Sequence, residues 1–158
     1  MTVDRIVVGV TGASGIPIAV RTVEAFAEYC EVYAVVTDAA ESVMAHESGS
    51  REEAMERVRE AATEVYAEDA IHAPVASGSF DTDGMVIVPA SMNTVSAVAT
   101  GRSDSLVTRA ADVTLKERRR LVVVPRESPL SQLHLEILTK LAELGVDVVP
   151  PMLGFYFD

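Results

Sequence analysis

The chain carries 158 residues, 49% of them apolar, with a formal net charge of −11; this is the size of one domain with one sizeable core. The acidity excludes a broad nucleic-acid surface, which needs excess positive charge, and no apolar run approaches the roughly 18–20 residues that span a membrane. Acidic residues number 24 and lysines only two, Lys116 and Lys140, a balance that predicts a halophilic protein whose self-repulsion is screened by concentrated salt.

Arg5–Val10 reads as a buried strand. It is too short and too early for a signal peptide, so a soluble cytoplasmic protein is expected. Thr11-Gly-Ala-Ser-Gly15 is a glycine-bearing turn, and Ile16–Tyr29 has helical periodicity, with Ile18, Val20, Val23, Phe26 and Ala27 on one side. Cys30, the only cysteine, excludes an internal disulfide; at the end of that periodic segment it predicts a buried, inert thiol. Glu31–Thr37 is a second strand, and Asp38 starts a helix running to about His46. Residues 51–69 read as one acidic helix with a thin stripe of Met55, Val58, Ala62, Val65 and Tyr66, its charge a solvated face.

A polar loop over 77–84 leads to a third strand, Met85–Val88, ended by Pro89. Helices follow over Asn93–Thr100, stopped by Gly101, and over Ser105–Lys116. Leu121–Val124 is a very apolar strand, Ser131–Leu144 an amphipathic helix, and Val146–Val149 a last strand. Alternating helices and all-apolar strands imply an α/β fold, a parallel sheet covered on both faces, in a single domain over 1–158. In such folds ligands sit beyond the carboxyl ends of the strands. Ser14, Thr37, Ser91, Arg126 and Glu127 all fall there.

Gly12-Ala-Ser-Gly15 joins strand to helix, where backbone can approach a ligand and free amides are on offer. It is only half of a dinucleotide fingerprint, so a plain tight turn stays open. Pro89-Ala-Ser-Met-Asn-Thr94 is a second such turn, either a ligand contact or an ordinary N-cap. Arg109, Lys116 and Arg126 are cations in an acidic protein. Arginine offers a planar fork to phosphate and lysine a point charge, but salt bridging to the many carboxylates is the competing reading. Arg109 and Lys116 are spaced to share a helix face, and Arg118–Arg120 read as surface or subunit contacts. Glu127, next to a cation, could act as general acid or base if partly buried. His46, His72 and His134 lack metal-ligand spacing, so no metal site is expected.

Taken together, these segments resemble one family. Thr11-Gly-Ala-Ser-Gly15, Ala76-Ser-Gly-Ser79, Arg109-Ala-Ala-Asp-Val-x-Leu-Lys-Glu-Arg-Arg119, Leu121-Val-Val-Val-Pro-Arg-Glu-Ser-Pro129, His134-Leu-Glu-x-x-x-Lys-Leu141 and Pro150-Pro-x-x-x-Phe-Tyr156 occur in the order seen in UbiX-type flavin prenyltransferases. The resemblance implies a flavodoxin-like, Rossmann-type sheet, trimers assembled into a dodecameric homo-oligomer, active sites between subunits, and no metal. It implies that reduced FMN is bound as a substrate. A dimethylallyl group passes from dimethylallyl phosphate to N5 and then C6, and the prenyl-FMN product serves a partner UbiD-type decarboxylase. Matched residue by residue, Gly12, Ala13 and Ser14 lie at the flavin, with Thr37, the turn Ser91, Met92, Asn93 and Thr94, and Arg126. Arg109, Lys116, Arg126 and Tyr156 match the phosphate-binding residues. Glu127 matches an acid/base and Glu47 a glutamate near the reacting ring; with Ser14 they form the expected catalytic set.

Three departures stand out. Pro89-Ala-Ser91 replaces the family's common Pro-Cys-Ser. The full Pro-Ala-Ser-Met-Asn-Thr turn resembles that of flavin-dependent cysteine decarboxylases, which keeps such a decarboxylase as an alternative, with His72 its only candidate base. The chain stops at Asp158, where the family continues into a further helix carrying another phosphate-binding arginine. A truncated chain, a site finished differently, or a non-catalytic FMN carrier subunit are the expectations that this raises.

Overall fold

The computed structural model describes residues 3–47 and 49–152. Strands and helices alternate along the chain: β1 (Arg5–Val10), α1 (Ile16–Ala27), β2 (Glu31–Val36), α2 (Asp38–Glu47), α3 (Arg51–Ala61), β3 (Glu64–Ala67), β4 (Gly84–Ala90), α4 (Met92–Thr100), α5 (Leu106–Lys116), β5 (Arg120–Pro125), α6 (Gln132–Glu143) and β6 (Asp147–Val148). A short 3-10 turn spans Pro74–Ala76. Every strand pairing is parallel, in the order β3-β2-β1-β4-β5-β6.

Strands apolar on both sides need cover on both faces. Val8, Val10 and Val36 pack under Val20 and Val23 of α1, Met44 of α2 and Val58 of α3. On the other face Met85, Ile87 and Val123 pack under Val95 of α4, Leu106 of α5 and Leu141 of α6. The chain builds outward from β1 in one direction and from β4 in the other. The loops after these two neighbouring strands therefore diverge and leave a crevice at their carboxyl ends.

Two elements differ from the sequence expectation. The helix expected over 51–69 stops at Ala61, Ala62 is extended at φ −74°, ψ 149°, and β3 runs along β2. Thr63, Val65 and Tyr66 are better strand than helix formers. The Thr63 amide donates to the Val32 carbonyl at 2.8 Å, and its hydroxyl accepts from the Val32 amide at 3.0 Å. Val65 and Tyr66 then pack on opposite faces of the sheet, as neighbours on a strand must. The second difference is β4, which continues through Pro89. Its register against β5 shifts between Ile87 and Ala90, so the ladder absorbs a residue that has no amide to donate.

Candidate active site

The loop after β1 owes its glycines to packing and to backbone conformation. A Cβ on Gly12 would lie 2.4 Å from Cβ of Ala39, so the missing side chain admits α2 while the Gly12 backbone lines the crevice. Gly15 has φ 116°, a conformation that glycine adopts without steric cost. It is also the N-cap of α1, and no side chain of its own can satisfy the amides there. Glu47, the last residue of α2, does so: its carboxylate accepts from the Gly15 and Ile16 amides at 2.8 and 2.9 Å and from the Ser14 hydroxyl. Burial works to raise the Glu47 pKa. The hydrogen bonds from Ser14, Gly15 and Ile16 and the charge of Arg126 outweigh it and hold the carboxyl below its ordinary range. The anion position at this helix start is thus filled from within the chain. Ser14 is exposed beside the crevice, two residues beyond the cavity-lining Gly12, and with its proton given to Glu47 its oxygen keeps lone pairs free to accept.

The β4 turn is fixed by Thr11, a residue that no sequence motif marks for this role. Thr11, 1% exposed, donates its hydroxyl proton to the Pro89 carbonyl at 2.7 Å and accepts from the Ser91 amide at 2.8 Å. Ser91 in turn caps α4, accepting from the Thr94 amide at 3.2 Å. Met92 turns its side chain into the core and is not among the residues lining the two crevice cavities, while Asn93 lines both and accepts from Arg102 at 3.3 Å. Thr37 is 7% exposed and caps α2 through the Ala40 amide at 3.1 Å. Glu68 completes that cap at the Asp38 amide, 3.0 Å away. It follows β3, and its role was hidden inside the helix expected over 51–69.

Two adjoining cavities occupy this crevice. One, of ≈210 Å³, is lined by Thr11, Gly12, Thr37, Glu68, Ser91 and Asn93 among others; the next, of ≈280 Å³, shares Thr37, Glu68, Asn93 and Thr94 and extends to Ser105 and Thr108. Hydroxyls, amides and the start of α4 suit a polyhydroxyl chain carrying a phosphate. A larger cavity of ≈450 Å³ lies at the amino ends of the strands. Asp4, Glu31, Asp81 and Asp83 line it with Arg5, which is paired to Glu31, and the net negative wall is the wrong charge for an anionic flavin.

The expected phosphate ligands divide into two groups. Arg126 follows β5, its amide donating to the Ala90 carbonyl at 3.1 Å, and so joins Glu47 and Ser14 at the carboxyl edge. Glu127 beside it is exposed, its carboxylate accepting from the Ser128 amide at 3.0 Å. The burial expected to tune it is not supplied by the described residues of its own chain. Arg109 and Lys116 share one side of α5, as the spacing predicts, and both meet the 76–78 segment. Arg109 donates from Nε to the Ala76 carbonyl at 3.1 Å and pairs with Asp112 at 2.9 Å, while Lys116 pairs with Glu117 and borders Gly78. Because α5 runs antiparallel to the strands, Lys116 lies near the start of β5. The six-residue strand β5 places it roughly 16–20 Å from Arg126 at the other end. Tyr156 lies outside the described residues. His72 is exposed and is not among the crevice residues. Cys30 is only partly buried, and desolvation raises its thiol pKa, as suits an unreactive thiol.

A doubly wound sheet with a polar crevice at its switch point defines a flavodoxin-like nucleotide- or flavin-binding protein. Known proteins narrow this. The Flavoprotein family model matches residues 1–156. The chain is 52% identical to the flavin prenyltransferase UbiX of Thermoplasma acidophilum over 152 residues, 96% of this chain and 82% of that one. The crystal structure of AnUbiX (PadA1) in complex with FMN and dimethylallyl pyrophosphate superposes with a TM-score of 0.91 at 40% identity, covering 97% of this chain and 80% of that one. A dodecameric FMN-dependent UbiX-like decarboxylase from Escherichia coli O157:H7 gives 0.91 at 41% identity, with 96% and 82% covered. The chain belongs to the UbiX-type flavin prenyltransferases of the Flavoprotein family.

Proposed function

We propose that the chain transfers a dimethylallyl group from a dimethylallyl phosphate to reduced FMN, which it binds as a substrate. The observation that carries this is the Ser14–Glu47 pair at the crevice. Reduced flavin carries a hydrogen on N5, and Ser14, already donating to an ionised carboxylate, offers that hydrogen an acceptor. The flavin supplies the two nucleophilic positions, N5 and C6; the dimethylallyl C–O bond breaks with its electron pair leaving on phosphate, and N5 and C6 each release a proton. Ser14 and Glu47 are assigned to receive the N5 proton. Glu127 is assigned to protonate the dimethylallyl double bond as C6 attacks and to accept the C6 proton afterwards. Arg126 steadies the departing phosphate by charge.

The distance between Lys116 and Arg126 supports a site shared between subunits, the crevice of one completed by Arg109 and Lys116 of another. A dodecameric homo-oligomer meets that need, Tyr156 is assigned to the same phosphate, and no metal is invoked. The prenyl-FMN product would serve a UbiD-type decarboxylase. A cytoplasmic setting is part of this proposal, and among the described residues no helix is long and apolar enough to cross a membrane. Anaerobic incubation with FMNH₂ and either dimethylallyl monophosphate or diphosphate, followed by mass measurement of the flavin, tests it. Gain of one isoprene unit is expected. Unchanged flavin with both donors overturns it.

A further inference from the structure

The Ala76-Ser-Gly-Ser79 segment is a sequence motif that the flavin crevice does not use, and three cations of α5 and its C-terminal turn converge on it. The carbonyls of Ala76, Gly78 and Phe80 each accept from a guanidinium: Ala76 from Arg109 Nε at 3.1 Å, Gly78 from Arg119 Nη2 at 3.1 Å and Phe80 from Arg119 Nη1 at 2.8 Å. Arg119 also reaches Thr82 Oγ1 at 3.3 Å and Asp81 at 3.4 Å. Its side chain is 16% exposed while that of Asp81 is 92% exposed, so the carbonyl contacts, not the ion pair, do the holding.

The backbone before Arg119 is shaped for this contact. Arg118 sits at φ 58°, a left-handed conformation unusual for a residue with a side chain. The Arg118 and Arg119 amides close the end of α5 on the Leu115 and Thr114 carbonyls at 3.0 and 2.9 Å. Beyond this reversal, Arg119 lies under residues 78–82. The clamped loop passes close beside the ion pair: a Cβ on Gly78 would lie 2.7 Å from Lys116 Nζ and 2.3 Å from Glu117 Oε1.

We propose that Arg119 is a positioning residue of the donor-phosphate site, holding residues 78–82 so that the Gly78 backbone walls in the Lys116 ammonium. This rests on the reading of Lys116 as a phosphate ligand. A lysine ammonium on a four-carbon stem samples many rotamers, and a wall at Gly78 removes those that point away from the donor. A planar fork is what spans the Gly78 and Phe80 carbonyls together; a single ammonium does not.

The test compares R119A, R119K, G78A and K116A in anaerobic turnover with reduced FMN and dimethylallyl monophosphate, alongside FMN titration and melting. In G78A the three atoms nearest the added methyl are the far ends of the Lys116 and Glu117 side chains, so it should move the ammonium at little cost to the fold. The expected result is a donor KM raised about tenfold or more in R119A and G78A. FMN affinity stays within about twofold, R119K recovers little, and millimolar guanidinium partly restores R119A. An unchanged donor KM in folded G78A and R119A, while K116A raises it, overturns the inference and leaves Lys116 a phosphate ligand. An unchanged KM in K116A as well overturns the phosphate reading itself. Parallel loss of melting temperature and FMN affinity in R119A and R119K, with G78A unaffected, makes Arg119 a fold residue only and also overturns the inference.

Discussion

Glu47 and Glu127 are both carboxylates at the carboxyl edge of the sheet, and their surroundings give them different work. Glu47 accepts from two amides and a hydroxyl and is held ionised; it is an acceptor and an anchor for Ser14. Its depressed pKa contributes stability that is fully present above the unfolded carboxyl value of about 4.3 and is lost as pH falls through the lower folded value. Glu47→Gln should therefore melt below the parent at neutral pH. Thermal scans from pH 7 to pH 3 should show the gap closing only in the acid range; a constant gap removes the ionisation argument. Glu127 is exposed and lightly held, so Glu127→Gln should slow prenylation at saturating donor with KM nearly kept. For Arg126→Ala, loss of a charge-assisted bond worth about 1.5–3 kcal/mol predicts a ten- to hundredfold weaker use of donor. FMN binding, measured by titration, should fall far less; equal losses in both make Arg126 a flavin residue instead.

Among the elements, the α1–α2 corner carries the contacts of Glu47 with Ser14, Gly15 and Ile16, and Gly12 is its tightest point. Gly12→Ala would drive a methyl into Ala39, whose Cβ, carbonyl carbon and Cα lie 2.4, 3.1 and 3.3 Å from it. Overpacking of this kind costs about 1–3 kcal/mol, and moving α2 also moves Glu47 off the start of α1. The variant should lose melting temperature and FMN affinity together. Ala39→Gly in the same chain should recover part of both, and a purely additive double-mutant cycle removes the contact as cause. The sequence showed a glycine turn here but not its reason, because Ala39 is 27 positions away and the meeting is tertiary. The same limit explains β3. Val65 and Tyr66 fit a helical stripe as well as a strand, and only pairing with β2 separates the two readings. By contrast β1, β2 and β5 are legible from their unbroken apolar runs, and the strand-end positions of Ser14, Thr37, Ser91 and Arg126 follow once the sheet is parallel. From the sequence Arg119 reads as a surface or subunit contact, because its partners are backbone carbonyls, which no residue pattern reveals.

At the scale of the whole molecule, charge and assembly govern behaviour. A net charge of −11 on 158 residues repels itself at low ionic strength, and salt within a Debye length of about 10 Å at 0.1 M begins to screen it. The melting temperature should rise from dilute to molar KCl; a flat curve counts against a halophilic surface. Assembly gives the sharper test. Lys116 near the start of β5 and Arg126 beyond its end are separated by the length of that strand, and the Lys116 ammonium is further held at Gly78 by its pairing with Glu117. On the proposed shared site, one subunit does not close both around a single phosphate, and each donor site would draw the two cations from different chains. Lys116→Ala and Arg126→Ala subunits, each nearly inactive alone, should complement one another when unfolded together and refolded as mixed oligomers. Random mixing leaves both cations intact in about a quarter of sites, so activity per site should recover to roughly that fraction of the parent. Mixing the two folded homo-oligomers without exchange should recover none. If refolded mixtures stay as inactive as the separate variants while binding FMN normally and sedimenting as the parent oligomer, the two cations serve one subunit's site and the shared-site reading fails.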